Sequence, residues 1–148
     1  MIRRANPEDF LSVAKLDREA WSANREATFI PDGEHAWRLW CEHAIVFVYE
    51  PEDTVLGAAL AFPTLSSTFC LHKIFVDATC RGEGVGSALM REALGEIDRV
   101  GAACFLTVDP ENEAAIRLYE SFGFVDRAFV SGYYRAAEDR FVLTRPKQ

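Results

Sequence analysis

The chain has 148 residues, 49% apolar, 26% charged and 12% aromatic, which suits a single domain over residues 1–148 and leaves little length for a second. Its formal charge of −7 argues against non-specific nucleic-acid binding, and its longest apolar stretches, Ala44 to Tyr49 and Gly57 to Pro63, are too short for a membrane span. Residues 1–70 hold 6 Lys/Arg against 11 Asp/Glu and residues 71–148 hold 10 against 12, so the first half better suits a cationic partner.

Ile2 to Arg4 reads as a short strand, and Asn6-Pro7-Glu8-Asp9 as a helix start, with a capping residue, a first-turn proline and acids at the positive helix end. Phe10, Val13, Ala14, Leu16 and Ala20 keep helical spacing to about Trp21. Residues 22–31 read as a loop, and a second helix carrying Ala36, Trp37, Leu39 and Trp40 begins near Asp32. Ala44 to Glu50 and Thr54 to Phe62 are strands joined by a turn at Pro51-Glu52-Asp53, and Pro63 to Ser67 makes the next turn. Cys41, Cys70, Cys80 and Cys104 are widely spaced with no metal-ligand pattern, as expected of reduced thiols in a cytoplasmic protein that holds no metal.

Thr68 to Val76 is a further strand, Gly84 to Val100 a long amphipathic helix, and Ala103 to Val108 a strand apolar enough for the middle of a sheet. Asn112 opens a helix carrying Ala115, Ile116, Leu118, Tyr119 and Phe122, with Gly123 as its left-handed terminator. Phe124 to Tyr133 and Arg140 to Thr144 close the chain as strands. The order predicts an α/β fold: a mixed sheet with helices on both faces.

The richest segment is Arg81-Gly82-Glu83-Gly84-Val85-Gly86-Ser87, between a strand and the long helix. Glycines there admit unusual dihedrals and let a ligand approach main-chain N–H groups, while the helix start offers unpaired donors and a positive dipole end. A phosphate or pyrophosphate suits such a place, and so does a plain tight turn. Neither the dinucleotide fingerprint nor the nucleotide-triphosphate loop is present.

Arg81-x-x-Gly84-x-Gly86 resembles the [Q/R]-x-x-G-x-[G/A] signature of the GNAT superfamily of acyl-CoA-dependent N-acetyltransferases. The neighbours agree: Val76-Asp77 ends the preceding strand, and the run Asn112 to Phe124 resembles the family's later helix. The resemblance implies a GNAT-like fold with a central, mostly antiparallel twisted sheet, and acetyl-CoA as donor. It implies that the strands 68–76 and 103–108 splay apart to admit that donor. It further implies that the main chain of Ile74, Phe75 and Val76 pairs with the pantetheine arm, and that Arg81, Gly82, Glu83, Gly84, Val85, Gly86 and Ser87 surround the pyrophosphate.

By the same resemblance Asn112 lies near the cofactor arm and Tyr119 protonates the departing thiolate; read as residues alone, Asn112 also suits a helix cap and Tyr119 a core position. A protonated amine has no lone pair with which to attack a thioester, so a base is needed. His72 suits that role, imidazole having an ordinary pKa of about 6.5. Strand alternation puts Cys70, His72, Ile74 and Val76 on one face. Some relatives carry a Glu or His where this chain has Thr107, which is no base near pH 7. Cys70 reads as a small core residue, so direct transfer is favoured over a covalent acetyl-enzyme.

Gly132-Tyr133-Tyr134 followed by Glu138-Asp139 resembles the ribosomal-protein alanine N-acetyltransferase branch. The acids Glu19, Glu26, Asp32 and Glu34 suit a cationic amine. The expected partner is therefore a primary amine, small molecule or protein N-terminus, with no nucleic acid and no membrane, and with room for a homodimer. The alternative is an acyl-CoA-binding sensor without turnover.

Overall fold

The computed structural model describes residues 1–23 and 30–148. Their contacts form two compact units, one of residues 1–62 and 73–96, the other of residues 63–72 and 97–148.

In the first unit β1 (Ile2–Arg4), β2 (Ile45–Tyr49) and β3 (Gly57–Pro63) pair antiparallel in that order, with Arg3 opposite Val48 and Phe47 opposite Ala59. The turn between β2 and β3 is a short 3-10 segment at Pro51–Asp53, where Glu52 and Asp53 both take left-handed backbone. Helix α1 (Phe10–Ala23) follows a 3-10 turn at Pro7–Asp9, in which Asp9 accepts from the Asn6 N–H at 2.8 Å. Helix α2 (Glu34–His43) begins two residues later than the sequence suggests. Val13, Ala14 and Leu16 of α1, Trp37 and Cys41 of α2 and Val46, Val48, Ala58 and Leu60 of the sheet make one core with Phe75. Burial of the valine, leucine and phenylalanine side chains among them contributes roughly 1.5–3 kcal/mol each. Asp17 of α1, at helical spacing from Val13 and Ala14, is completely buried with them.

β4 (Phe69–Val76) and α3 (Val85–Val100) pass from one unit to the other. In the second unit β4 lies parallel to β5 (Cys104–Val108), and β5 pairs antiparallel with β7 (Arg140–Arg145), which pairs antiparallel with β6 (Asp126–Val130). The strand order is β1-β2-β3-β4-β5-β7-β6, a mixed sheet in which β5 is indeed interior. Helix α4 (Glu113–Ser121) ends as expected at Gly123, whose φ of +97° demands glycine. The Gly123 N–H reaches Glu120 O at 3.0 Å and the Phe124 N–H reaches Tyr119 O at 3.2 Å, the paired bonds of a Schellman cap. That cap shortens the expected strand Phe124 to Tyr133: Phe124 still serves the helix, and only Asp126–Val130 extends. At its far end Gly132, at φ +61°, turns the chain while its N–H reaches Asp139 Oδ1 at 2.8 Å.

No helix among the described residues is long and apolar enough to cross a membrane. The four cysteines are buried free thiols.

Candidate active site

In the first unit β4 runs into a one-turn 3-10 segment at Ala78–Cys80. Asp77 caps it by accepting from Thr79, and those hydrogen bonds hold the Asp77 carboxyl below the usual carboxylate range. Gly82 and Gly84 follow with φ of +80° and +78°, a region other residues enter only with strain. A Cβ on either would meet nothing within 4 Å, so the backbone demands glycine and the flank of the loop is open.

Arg81 to Gly84 are exposed, while Val85 is buried and anchors the start of α3. The first helical hydrogen bond beyond this loop runs from Ala88 N–H to Gly84 O at 3.0 Å. Ahead of it the N–H groups of Val85, Gly86 and Ser87 precede the intrahelical ladder at the positive dipole end. Exposed left-handed glycines beside such donors fit a phosphate carried on main-chain N–H groups. The exposed side chain of Glu83 has the wrong charge for a phosphate, which leaves only its main chain suited to one.

Gly86 differs from Gly82 and Gly84 in that its backbone is not left-handed. A Cβ there would lie 3.8 Å from Val76 Cγ2 and 3.9 Å from Ile74 Cγ2, ordinary contacts, so the first turn of α3 rests on β4 with room for a methyl group.

In the second unit Asn112 caps α4, its side-chain oxygen accepting from Ala115 N–H at 3.2 Å, so the capping role open in the sequence is realised. Seven residues on, Tyr119 sets its ring edge-on to Phe124, with centroids 6.2 Å apart. Burial pushes the Tyr119 phenol above its usual pKa, so it keeps its proton at neutral pH. His72 is exposed on β4. Its neighbour on the same face, Cys70, is buried, and burial pushes that thiol up to about 11, which removes the thiolate a nucleophile needs. The ladder between β4 and β5 joins Phe69 to Cys104 and Cys70 to Phe105 among the described residues, while β4 itself continues to Val76.

The residues that sequence reasoning left unconnected are Thr107 and Tyr134. Their hydroxyl groups lie 2.7 Å apart, tying β5 to the loop between β6 and β7. The Tyr134 ring stands 4.7 Å from that of Tyr133, and the buried Arg140 guanidinium lies 5.2 Å over it. Arg140 in turn faces Glu138 at 3.6 Å, and Glu138 pairs with Arg135. The Tyr-Tyr pair was visible as a motif; its partner 27 residues earlier required the β5–β7 register, which sets Thr107 opposite Val142.

The acids of the first half correct an expectation. Asp32 lies 2.9 Å from the buried Lys73 Nζ and so is compensated within the fold, whereas Glu19 lies 3.6 Å from Lys15 Nζ in an exposed pair on α1. Glu26 lies outside the described residues.

The model of the acetyltransferase (GNAT) family matches residues 10–124 of the chain. The chain is 37% identical over 80 residues to the ribosomal protein bS18-alanine N-acetyltransferase of Escherichia coli, covering 51% of this chain and 54% of that one. It is 40% identical over 151 residues to an uncharacterized protein of Mycobacterium leprae, covering 93% of this chain and 40% of the relative. The chain spans from 29% to 64% of the length of such curated relatives. In fold it is similar to the crystal structure of the Escherichia coli ribosomal-protein-S18-alanine N-acetyltransferase, with a TM-score of 0.80 at 24% identity over 100% of this chain and 94% of that one.

Proposed function

The chain belongs to the GNAT acetyltransferase family, and from that premise we propose that it is a single-domain, cytoplasmic, acetyl-CoA-dependent N-acetyltransferase that moves the acetyl group to a primary amine by direct attack. The observation that carries this reading is the loop before α3, where Gly82 and Gly84 hold left-handed backbone, stay open to approach and lead into the first-turn donors of Val85, Gly86 and Ser87. These N–H groups take the pyrophosphate, Arg81 adds a positive charge, and the main chain of Ile74, Phe75 and Val76 takes the pantetheine arm, with Asn112 near it.

Acetyl-CoA supplies an activated thioester carbonyl. The neutral amine forms the new C–N bond, the C–S bond breaks, and the thiolate leaves. Tyr119 stabilises that thiolate with its phenolic O–H, and His72, exposed on β4, takes the proton the ammonium gives up. The raised thiol of Cys70 supports direct attack over a covalent acetyl-enzyme. The acceptor is a primary amine, of a small molecule or a protein N-terminus, and the similarity to an alanine N-acetyltransferase over half of the chain supports testing peptides that begin with alanine.

The test is release of free CoA thiol from acetyl-CoA against a panel of small diamines, triamines and Ala-initiated peptides. Turnover with at least one member is expected. Silence across the panel, with CoA still bound, would make the protein an acyl-CoA sensor instead. His72→Gln is expected to lower kcat on the order of tenfold, below the usual general-base range because water partly replaces the imidazole, and to displace the acidic limb of the pH–rate profile. An unchanged limb would remove His72 from the reaction.

A further inference from the structure

Arg145, the last residue of β7, keeps its side chain largely buried in the second unit and uses all three of its guanidinium nitrogens there. Nη1 and Nη2 donate to the two carboxylate oxygens of Asp98 on α3 at 2.6 and 3.1 Å, and Nε donates to the Phe122 carbonyl at the end of α4 at 2.9 Å. The stem of the arginine lies against Gly123. A Cβ on Gly123 would meet Arg145 Nε at 3.3 Å and Cγ at 3.4 Å, so this cap position requires glycine for the close approach as well as for its φ.

A planar guanidinium suits this place. The last carbonyls of a helix have no intrahelical donor, and a cation beside them also meets the negative dipole end. The two-pronged bond to Asp98 sets the plane of the group, and with it the direction of the third N–H. What that N–H holds is the cap built on Tyr119. The Tyr119 carbonyl accepts from the Phe122 N–H at 3.0 Å and from the Phe124 N–H at 3.2 Å, and the Tyr119 ring packs edge-on against that of Phe124, which is wholly buried. Asp98, Arg145, Phe122 and Tyr119 therefore make one chain of bonds from α3 through the end of β7 to α4.

We propose that Arg145, oriented by Asp98, is a positioning residue that holds the capped end of α4 and so aims the Tyr119 phenol. The proposal rests on the acetyltransferase reading, in which that phenol serves the departing thiolate. Misplacing a reacting group by about 1 Å costs a reaction on the order of 100-fold, so a loosened cap shows in turnover rather than in binding.

Two variants of the full chain test it. Arg145→Met removes both ties, whereas Asp98→Asn removes only the charge that orients the guanidinium, at a part-exposed position, and is expected to fold normally. The first readout needs no acceptor: hydrogen exchange at the Gly123 and Phe124 amides should quicken about tenfold in Arg145→Met while the amides of β5 keep their protection. The second uses whichever Ala-initiated peptide or small amine the wild type acetylates. Its kcat should fall about 30-fold in Arg145→Met and about threefold in Asp98→Asn, with the acceptor KM within about threefold and the acetyl-CoA Kd within about twofold of wild type. In a Tyr119→Phe background the Arg145→Met change should cost less than about threefold, because the hydroxyl it aims is already gone. Full multiplication of the two losses would overturn the proposal. So would unchanged exchange at the cap, or quickened exchange with an unchanged kcat. Protection lost through β5 as well, with CoA affinity and turnover falling together, is the mark of a merely structural ion pair and also overturns it. Wild-type turnover in Tyr119→Phe alone, or a wild type that acetylates no probe, would sink the catalytic reading beneath the proposal, and those two proteins tell that failure from a failure at Arg145.

Discussion

Gly84→Val is expected to lower CoA affinity at least 100-fold in a protein that still folds. Gly84 has a φ of +78°, and an L-residue there costs roughly 1–2 kcal/mol, with a β-branched side chain among the worst. No protein atom lies within 4 Å of the Cβ such a substitution would add, so the fold itself has room. The loss therefore falls on the loop, which either holds a strained conformation or relaxes and re-aims the N–H groups of Val85 and Gly86. The side chain also occupies the flank from which a phosphate arrives. A hydrogen bond to a charged group contributes about 1.5–3 kcal/mol, so misaiming one or two accounts for the 100-fold. Gly86→Ala is the control: its backbone is not left-handed, and the new Cβ would make ordinary contacts at 3.8 and 3.9 Å with Val76 and Ile74, so a loss of no more than about fivefold is expected. Calorimetric titration with CoA, beside thermal melts, separates the two. A folded Gly84→Val protein that binds within threefold of wild type would remove the phosphate from this loop.

Gly84 and Gly123 were legible in the sequence because glycine is the residue that takes left-handed backbone most readily, and Asn112 because a helix cap is likewise a local choice. Elements set by longer-range bonding were read less well. The strand expected over Phe124 to Tyr133 is cut at both ends, by the α4 cap that uses the Phe124 N–H and by Asp139 holding Gly132. The position of Asp17 on the inward face of α1 follows from its spacing to Val13 and Ala14, but its tolerance of burial depends on Lys73, 56 residues away. Reading the first-half acids as a free surface field failed at Asp32 for that reason: a count of charges says nothing of which are paired in the interior. Thr107 and Tyr134 are the same case in the second unit. In this chain the glycine loop and the helix caps are written locally, whereas the Lys73–Asp17–Asp32 cluster and the Thr107–Tyr134 pair are joined only by the tertiary fold.

Tyr119→Phe is expected to reduce kcat by about 10 to 1,000-fold while the acetyl-CoA Kd stays within about twofold and the melting temperature is nearly unchanged. The substitution keeps the ring, and with it the edge-on packing against Phe124 at 6.2 Å, and it leaves the Tyr119 carbonyl free to accept the Phe124 N–H of the helix cap. Only the O–H is lost. Burial holds the Tyr119 phenol above its ordinary value of about 10, so the group is protonated throughout the neutral and mildly alkaline range. A departing thiolate, whose conjugate acid titrates near 8.5 as cysteine does, is a weaker base than that phenolate. The phenol therefore acts first as a hydrogen-bond donor to the developing charge, and net protonation of sulfur draws on the proton the ammonium releases. A sign follows for pH. Because burial raises the phenol above its ordinary value and keeps it protonated across neutral and mildly alkaline pH, the ratio of wild-type to Tyr119→Phe turnover should be constant between about pH 7 and 9. A ratio that collapses toward one as pH rises across that window would assign the donor to a group of lower pKa. Wild-type turnover in the variant would return Tyr119 to a packing role beside Phe124.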